Sequence, residues 1–174
     1  EFRRVLFRSL RMLILDVDGV LTDGSIWLDG KGGEWKRFHV RDGLAIKAAQ
    51  RCGLEAAILT ARQSDATAAR AAELGIDTVI QGAGDKHAQL TELCAGRDVA
   101  LQDVAYIGDD LADLAAMRAV GCPIAVGDAA DEVRQAARFV TQTPGGHGAV
   151  REAIEHLLRQ RGQWDAVVES YGNR

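Results

Sequence analysis

The chain has little of what marks a disulfide-stapled, membrane-spanning or nucleic-acid-binding protein. Its three cysteines, Cys52, Cys94 and Cys122, are odd in number and widely separated. No two have a paired metal-binding spacing, which suits buried thiols in a reducing compartment. No apolar run approaches the roughly 20 residues of a membrane span, and no secretory signal pattern appears, so a cytoplasmic location is expected. Positive charge is not in surplus either: 21 Lys and Arg face 25 Asp and Glu, for a net charge of −4. A general nucleic-acid or anionic-membrane partner needs a cationic footprint, so neither is expected, and an anionic substrate must meet a local basic pocket. No Gly-x-Gly-x-x-Gly loop follows the first apolar run, which counts against a nucleotide-binding module.

What remains is a chain of 174 residues, 47% hydrophobic and 26% charged, long enough for one well-buried core. Residues 1–9 (EFRRVLFRS) fit no helix cap or strand and read as a non-native extension, set aside from fold reasoning. That segment carries three Arg and one Glu, so the rest of the chain is more acidic than the total implies. A single domain is expected over residues 10–160, followed by a tail over residues 161–174.

Short apolar runs alternate with helical patterns. Strands are expected near Met12–Val17, Leu54–Leu59, Thr78–Gln81, Val104–Ile107, Cys122–Val126 and Phe139–Val140. Helices are expected near Asp42–Arg51, Ser64–Leu74, Lys86–Cys94, Leu111–Ala119, Ala130–Ala137 and Ala149–Arg159. This alternation predicts an α/β, Rossmann-like, doubly wound and mostly parallel sheet with helices on both faces. Between the first strand and the first long helix, Ser25–Leu28 and Glu34–Phe38 flank a glycine-rich turn. They read as a small β-hairpin flap within about residues 20–38. Neither there nor between Thr60 and Lys86 is there room for a cap domain.

The most informative run is Asp16-Val17-Asp18-Gly19-Val20-Leu21-Thr22-Asp23-Gly24, directly after Met12-Leu13-Ile14-Leu15. It sets two carboxylates two residues apart where a buried strand surfaces. One aspartate can attack phosphorus while the other handles the leaving-group proton, and a divalent cation would bring a dianionic ester beside them. Downstream, a strand ends in Thr60-Ala61-Arg62, Gly82-Ala83-Gly84-Asp85 leads to Lys86, and another strand ends in Gly108-Asp109-Asp110-Leu111-Ala112-Asp113. Ligands of such sheets bind outside the carboxyl ends of the strands, so these dispersed residues converge in space. Taken singly, Thr60 is equally a helix N-cap, Lys86 a solvated lysine at a helix start, and Asp113 a surface helix residue.

This ordered set resembles the haloacid dehalogenase superfamily of aspartate-nucleophile phosphatases. Asp16–Gly24, Phe38-His39-Val40-Arg41-Asp42-Gly43, Gly108-Asp109-Asp110 and Gly145-Gly146-His147-Gly148-Ala149-Val150-Arg151-Glu152 together resemble its capless 3-deoxy-D-manno-octulosonate 8-phosphate phosphatase family. Two positions depart from that pattern: Ala61 stands where glycine is usual, and His147 where a basic side chain is common.

The resemblance implies Asp16 as nucleophile, Asp18 as general acid and base, and Thr60 and Lys86 as partners of the transferring phosphoryl oxygens. It implies Mg²⁺ held by the Asp16 carboxylate, the Asp18 backbone carbonyl and Asp109, with Asp110 and Asp113 tuning the metal or binding Lys86. All-oxygen ligands of this kind argue against zinc. Asp18 needs a raised pKa for this work and is expected to titrate together with Asp16.

For substrate contacts the resemblance points to Asp18, His39, Val40, Arg41, Asp42, Gly43, Lys47, Arg62, Arg70 and Lys86. Arg62 and Arg70 would share a face if one continuous helix followed Thr60, clamping a carboxylate. A solvated helix face accounts equally well for Lys47 and Arg70, and His39 is either a sugar partner or a hairpin-edge residue. Capless phosphatases commonly borrow a neighbouring subunit to cover the site, so a homo-oligomer, specifically a tetramer, is implied.

The implied function is Mg²⁺-dependent hydrolysis of the octulosonate 8-phosphate through an aspartyl-phosphate, in lipopolysaccharide precursor synthesis. A nonulosonate 9-phosphate is the rival substrate. A phosphate-accepting regulatory module is the non-enzyme rival, although its usual motif order fits this chain poorly.

Overall fold

The computed structural model describes residue 7 and residues 9–172. Six parallel strands form one sheet: β1 (Met12–Leu15), β4 (Glu55–Leu59), β5 (Thr78–Ile80), β6 (Val104–Gly108), β7 (Cys122–Ala125) and β8 (Phe139–Val140). Their order is β5-β4-β1-β6-β7-β8. β1 is apolar at every position and fully buried, as a central parallel strand covered on both faces must be. It pairs with β4 on one side and β6 on the other, so the chain reverses its direction of winding there. That reversal opens a crevice at the carboxyl ends of β1 and β6.

Helices α1 (Val40–Arg51), α2 (Asp65–Leu74) and α6 (Ala149–Gln160) cover one face. Helices α3 (Lys86–Gly96), α4 (Leu114–Ala119) and α5 (Asp131–Ala136) cover the other. α6 shows the clearest apolar stripe: Val150, Ala153, Ile154, Leu157 and Leu158 are all buried, a helical spacing that faces the core. Its N-terminus is capped from a distance. The residue preceding the helix is Gly148, which has no side chain to offer, and the Asp42 carboxylate of α1 accepts from the Arg151 backbone N–H at 2.7 Å instead.

A second, two-stranded sheet, β2 (Trp27–Leu28) paired antiparallel with β3 (Glu34–Trp35), forms the expected flap. Between Thr60 and Lys86 the chain holds one helix and one strand, and no cap domain is present. Trp27, Leu28 and Trp35 are 67%, 73% and 71% exposed, so the flap does not fold its aromatic residues onto this chain's own core.

Of the expected tail, Trp164–Gly172 form α7, which packs back on the domain, and residues 173–174 lie outside the described residues. Trp164 is buried, with the guanidinium groups of Arg151 and Arg159 at 4.8 and 5.7 Å from its ring. The segment set aside as a non-native extension lies mostly outside the described residues. Within it, Phe7 is buried edge-on against His156, a packing that the sequence reading, having excluded the segment, does not anticipate.

The late glycine segment has a specific structural reason. A Cβ at Gly145 would lie 1.7 Å from the backbone oxygen of Gly19, and Gly146 donates to Val20 O at 3.0 Å. The turn that carries Asp16 and Asp18 is therefore braced by backbone from far along the sequence. Gly145→Ala is expected to destabilise the protein by about 2 kcal/mol, because the added methyl must push one loop off the other. Urea denaturation monitored by circular dichroism measures this, and a wild-type midpoint would contradict the bracing.

Candidate active site

β1 runs into Asp16, β4 into Thr60 and β6 into Asp109, and Lys86 opens α3 just beyond β5. The turn after β1 is tight: Val17 O accepts backbone N–H bonds from Val20, Leu21 and Thr22. The buried Thr22 hydroxyl accepts from Gly24 N at 3.2 Å and donates to Val17 O at 3.4 Å. Gly19, at φ +85°, lets Asp109 approach; a Cβ there would lie 1.9 Å from Asp109 Oδ2.

Asp16, Asp109 and Asp113 converge, with one carboxylate oxygen from each lying within 4.8 Å of the others. Lys86 Nζ is 3.0 Å from Asp16 Oδ1 and 2.7 Å from Asp113 Oδ1. Asp113 is fully committed. Its Oδ1 also accepts from the Tyr106 hydroxyl at 2.7 Å, and its Oδ2 accepts from the backbone N–H of Asp109 at 3.0 Å and of Asp110 at 3.4 Å. Asp113 thus orients Lys86 and the Asp109 turn, while the carboxylates of Asp16 and Asp109 converge beside it. Asp110 is exposed and caps its own short turn through Leu111 N.

The electrostatics follow from three carboxylates sharing one ammonium. Burial and the Asp113 charge push Asp16 up to about 6 despite the opposing pull of Lys86. Burial, then Asp16, Asp113 and Asp110, push Asp109 up to about 8. Burial alone would lower Lys86, but the Asp16 and Asp113 carboxylates hold it above the usual lysine value. Burial and the Asp113 charge drive Tyr106 far upward, so it stays a donor. The charge partners of Asp16 are Asp113 and Lys86.

Surplus negative charge on oxygen ligands fits a hard divalent cation such as Mg²⁺. Asp16 Oδ1, ion-paired but without a well-directed hydrogen bond, has capacity left for it.

Thr60 is buried, its N–H donating to Ile80 O and its C=O accepting from Ala83 N. It is not the cap of α2, whose preceding residue is Ser64. Ala61 is exposed, and Asp98 is the only non-glycine residue among those described with positive φ, so the methyl at position 61 strains no backbone.

The proposed arginine clamp is not built as expected. α2 begins at Asp65, leaving Arg62 in the preceding loop, where Nη2 donates to Glu34 Oε2 at 2.5 Å and Nε stands 4.0 Å from Asp18 Oδ2. Arg70 points elsewhere, to His39 O at 3.3 Å and Glu73 at 2.8 Å, with its guanidinium 5.7 Å from the Phe38 ring. Gly43 makes room for it, since a Cβ there would meet Arg70 Nη2 at 2.5 Å.

His39 immediately precedes α1 and its Nδ1 is buried without a partner. Val40, Arg41 and Lys47 are exposed, and Lys47 sits on α1 about 10 Å along the axis from its start. His147 is exposed beside Arg37, with Nε2 3.3 Å from Arg37 Nη2, and Arg37 in turn pairs with Asp23 at 2.7 Å.

Three residues of this site escape the sequence reading. Tyr106 lies inside an apolar strand run and looks like core. Glu34, which opens β3, and Lys36, which directly follows it, flank the exposed Trp35, and both side chains turn away from solvent. Lys36 Nζ pairs with Asp18 Oδ1 and, at 3.1 Å, with Glu34 Oε1. Hydrogen bonds from Arg62 and Lys36 hold Glu34 down at about 2.

An aspartate at the tip of the central strand, a second carboxylate two residues on, a buried lysine and an acidic cation site define a phosphoryl-transfer hydrolase of the haloacid dehalogenase type. A family model for haloacid dehalogenase-like hydrolases matches residues 78–154. The 3-deoxy-D-manno-octulosonate 8-phosphate phosphatase KdsC of Escherichia coli is 43% identical over 157 residues, 90% of this chain and 84% of the relative. The crystal structure of the phosphatase of that name from Moraxella catarrhalis, in complex with magnesium, phosphate and KDO, superimposes with a TM-score of 0.93. It is 38% identical and covers 97% of each chain. The cobalt-bound enzyme from Haemophilus influenzae gives 0.88 at 39% identity, covering 91% of this chain and 93% of that one. The chain belongs to the 3-deoxy-D-manno-octulosonate 8-phosphate phosphatase family.

Without metal, the raised carboxylates make the folded protein hold protons that the unfolded chain has already shed. Stability should therefore fall as pH rises from about 4 through about 6 for Asp16 and about 8 for Asp109. Mg²⁺ competes with those protons, so its stabilising effect should grow over the same window. Melting curves with Mg²⁺ and with chelator across that range test this, and a Mg²⁺-induced shift independent of pH would contradict the assigned cluster.

Proposed function

We propose that this protein is a Mg²⁺-dependent phosphatase that converts 3-deoxy-D-manno-octulosonate 8-phosphate to the free sugar acid and phosphate, in the cytoplasm, during lipopolysaccharide precursor synthesis. The observation that carries this reading is the meeting of Asp16, Asp109, Asp113 and Lys86 at the strand tips. Membership of a family whose relatives bear that name points to the substrate.

Asp16 and Asp109, with the backbone carbonyl of Asp18, would hold the cation. When bound, it neutralises charge on the phosphate and offers a Lewis acid to its oxygens. Asp16 attacks phosphorus in line, the bond to the sugar oxygen breaks, and Asp18 delivers a proton to that oxygen. Water then attacks the aspartyl-phosphate and gives a proton back to Asp18, releasing phosphate. Lys86, fixed by Asp113, and Thr60 stabilise the equatorial phosphoryl oxygens. Because Lys86 already touches Asp16, it also holds the nucleophile in place. Arg62, beside Asp18 at the crevice mouth, and His39 supply the sugar-acid contacts, with Val40, Arg41, Lys47 and Arg70 reached only if the substrate or a second subunit extends over α1, while the buried Asp42 and Gly43 serve the Arg151 N–H and the Arg70 guanidinium instead.

The exposed Trp27, Leu28 and Trp35 give the flap, which lies over the site, an apolar outer face too large to leave in water. This supports a homo-oligomer, with a tetramer as the family arrangement.

Phosphate release measured across sugar phosphates with and without Mg²⁺ should favour the octulosonate 8-phosphate. Equal or faster turnover of a nonulosonate 9-phosphate would overturn the named substrate. Asp16→Asn should cut turnover by about 10³-fold or more, while Asp18→Asn should impair turnover more than Mg²⁺ affinity. Wild-type rates in either variant would refute its role. Sedimentation velocity should show an oligomer that Trp27→Lys with Trp35→Lys dissociates; a wild-type monomer would refute the interface.

A further inference from the structure

On the flap, where the neighbouring aromatic side chains stand in water, the Lys36 side chain is 0% exposed. Burying an ammonium group costs several kcal/mol unless it is well paired, so its place needs a reason. It sits between Asp18 Oδ1 and Glu34 Oε1. Glu34 is gripped from its other oxygen by Arg62, so the ammonium has a fixed anchor behind it. The consequence falls on Asp18. One carboxylate oxygen is held on the flap, while the other, Oδ2, is buried with no hydrogen-bond partner and has only Arg62 Nε at 4.0 Å.

We propose that Lys36 is a positioning residue for the general acid: by clamping Oδ1 it fixes the Asp18 carboxylate so that Oδ2 is the oxygen that exchanges the proton with the leaving group. The inference rests on the phosphatase reading above. Lys36 neither gives nor takes a proton. Asp18 Oδ2–H protonates the sugar oxygen as its bond to phosphorus breaks and the Asp16–phosphorus bond forms, and the attacking water returns a proton to Oδ2. The flap thereby becomes part of the chemistry, because Asp18 is oriented only while β3 lies over the site.

The test compares two leaving groups. An alkoxide leaving from a sugar phosphate needs a proton, whereas the weakly basic phenolate of p-nitrophenyl phosphate leaves without one. With Mg²⁺ present, Lys36→Met should lower kcat for the octulosonate 8-phosphate by about 10²-fold, leave its KM within a few-fold, and lower p-nitrophenyl phosphate turnover far less. Lys36→Arg, which restores a cationic donor, should recover most of the loss on the sugar ester. Aryl-ester turnover reports that the variant folds. If Lys36→Met does not fold, Lys36→Gln should show the same bias at smaller size. Equal losses on both esters, a change in KM alone, or no loss on the sugar ester would overturn the positioning role. A wild-type protein inert toward both esters would instead overturn the phosphatase reading itself.

Discussion

Three buried or half-buried carboxylates gathered around a single ammonium are the constraint on which the rest of this structure depends. Such a group is electrostatically incomplete. Asp113 spends both oxygens on Lys86, Tyr106 and two backbone N–H groups, and so it resembles a structural residue that happens to be charged. Asp16 and Asp109 are left facing one another across the crevice with burial working against their ionisation. A divalent cation removes that penalty, and a phosphate dianion restores a balance of charges. The fold keeps this unstable grouping because the central strands on which it rests, β1, β6 and β7, are buried along their whole length.

Around that centre the loops are tied together by contacts between remote parts of the chain. Gly145 and Gly146 lean on the Asp16–Asp18 turn, Asp42 caps the helix that follows those glycines, and the flap reaches back through Lys36 to Asp18. Backbone contact without intervening side chains leaves the turn little room to shift, and the in-line attack proposed for Asp16 depends on such positioning. The flap is different in kind, since ion pairs hold it on one face while its other face is apolar and exposed. It is suited to engage both the chemistry inside and a neighbour outside.

The sheet and its helices were readable because period and burial agree: every β1 residue is apolar, and α6 repeats its apolar residues at helical spacing. The convergence of Asp16 and Asp109 was readable for a related reason, because polar groups that follow buried strands have few other places to be. What the sequence could not show was pairing at a distance. Arg62 and Arg70 looked like a clamp on one helix, but the helix starts after Arg62, and each guanidinium found a different carboxylate. Lys36 read as one more polar residue beside a tryptophan, and only the folding of β3 over the crevice gives it Asp18. Tyr106 was hidden by its apolar neighbours. Ala61 stands where glycine is usual, but its turn needs no left-handed conformation, so the methyl is accommodated without strain.

The proposed catalysis requires one arrangement above all, a cation shared by Asp16 and Asp109 beside a phosphoryl group on Asp16. Crystals grown with Mg²⁺ and beryllium fluoride, a mimic of the phosphoryl group, would reveal it. The fluoride adduct should be bonded to an Asp16 oxygen, with Lys86 on a fluorine and the metal touching both Asp16 and Asp109. An adduct on another carboxylate, or a metal bound without Asp109, would contradict it.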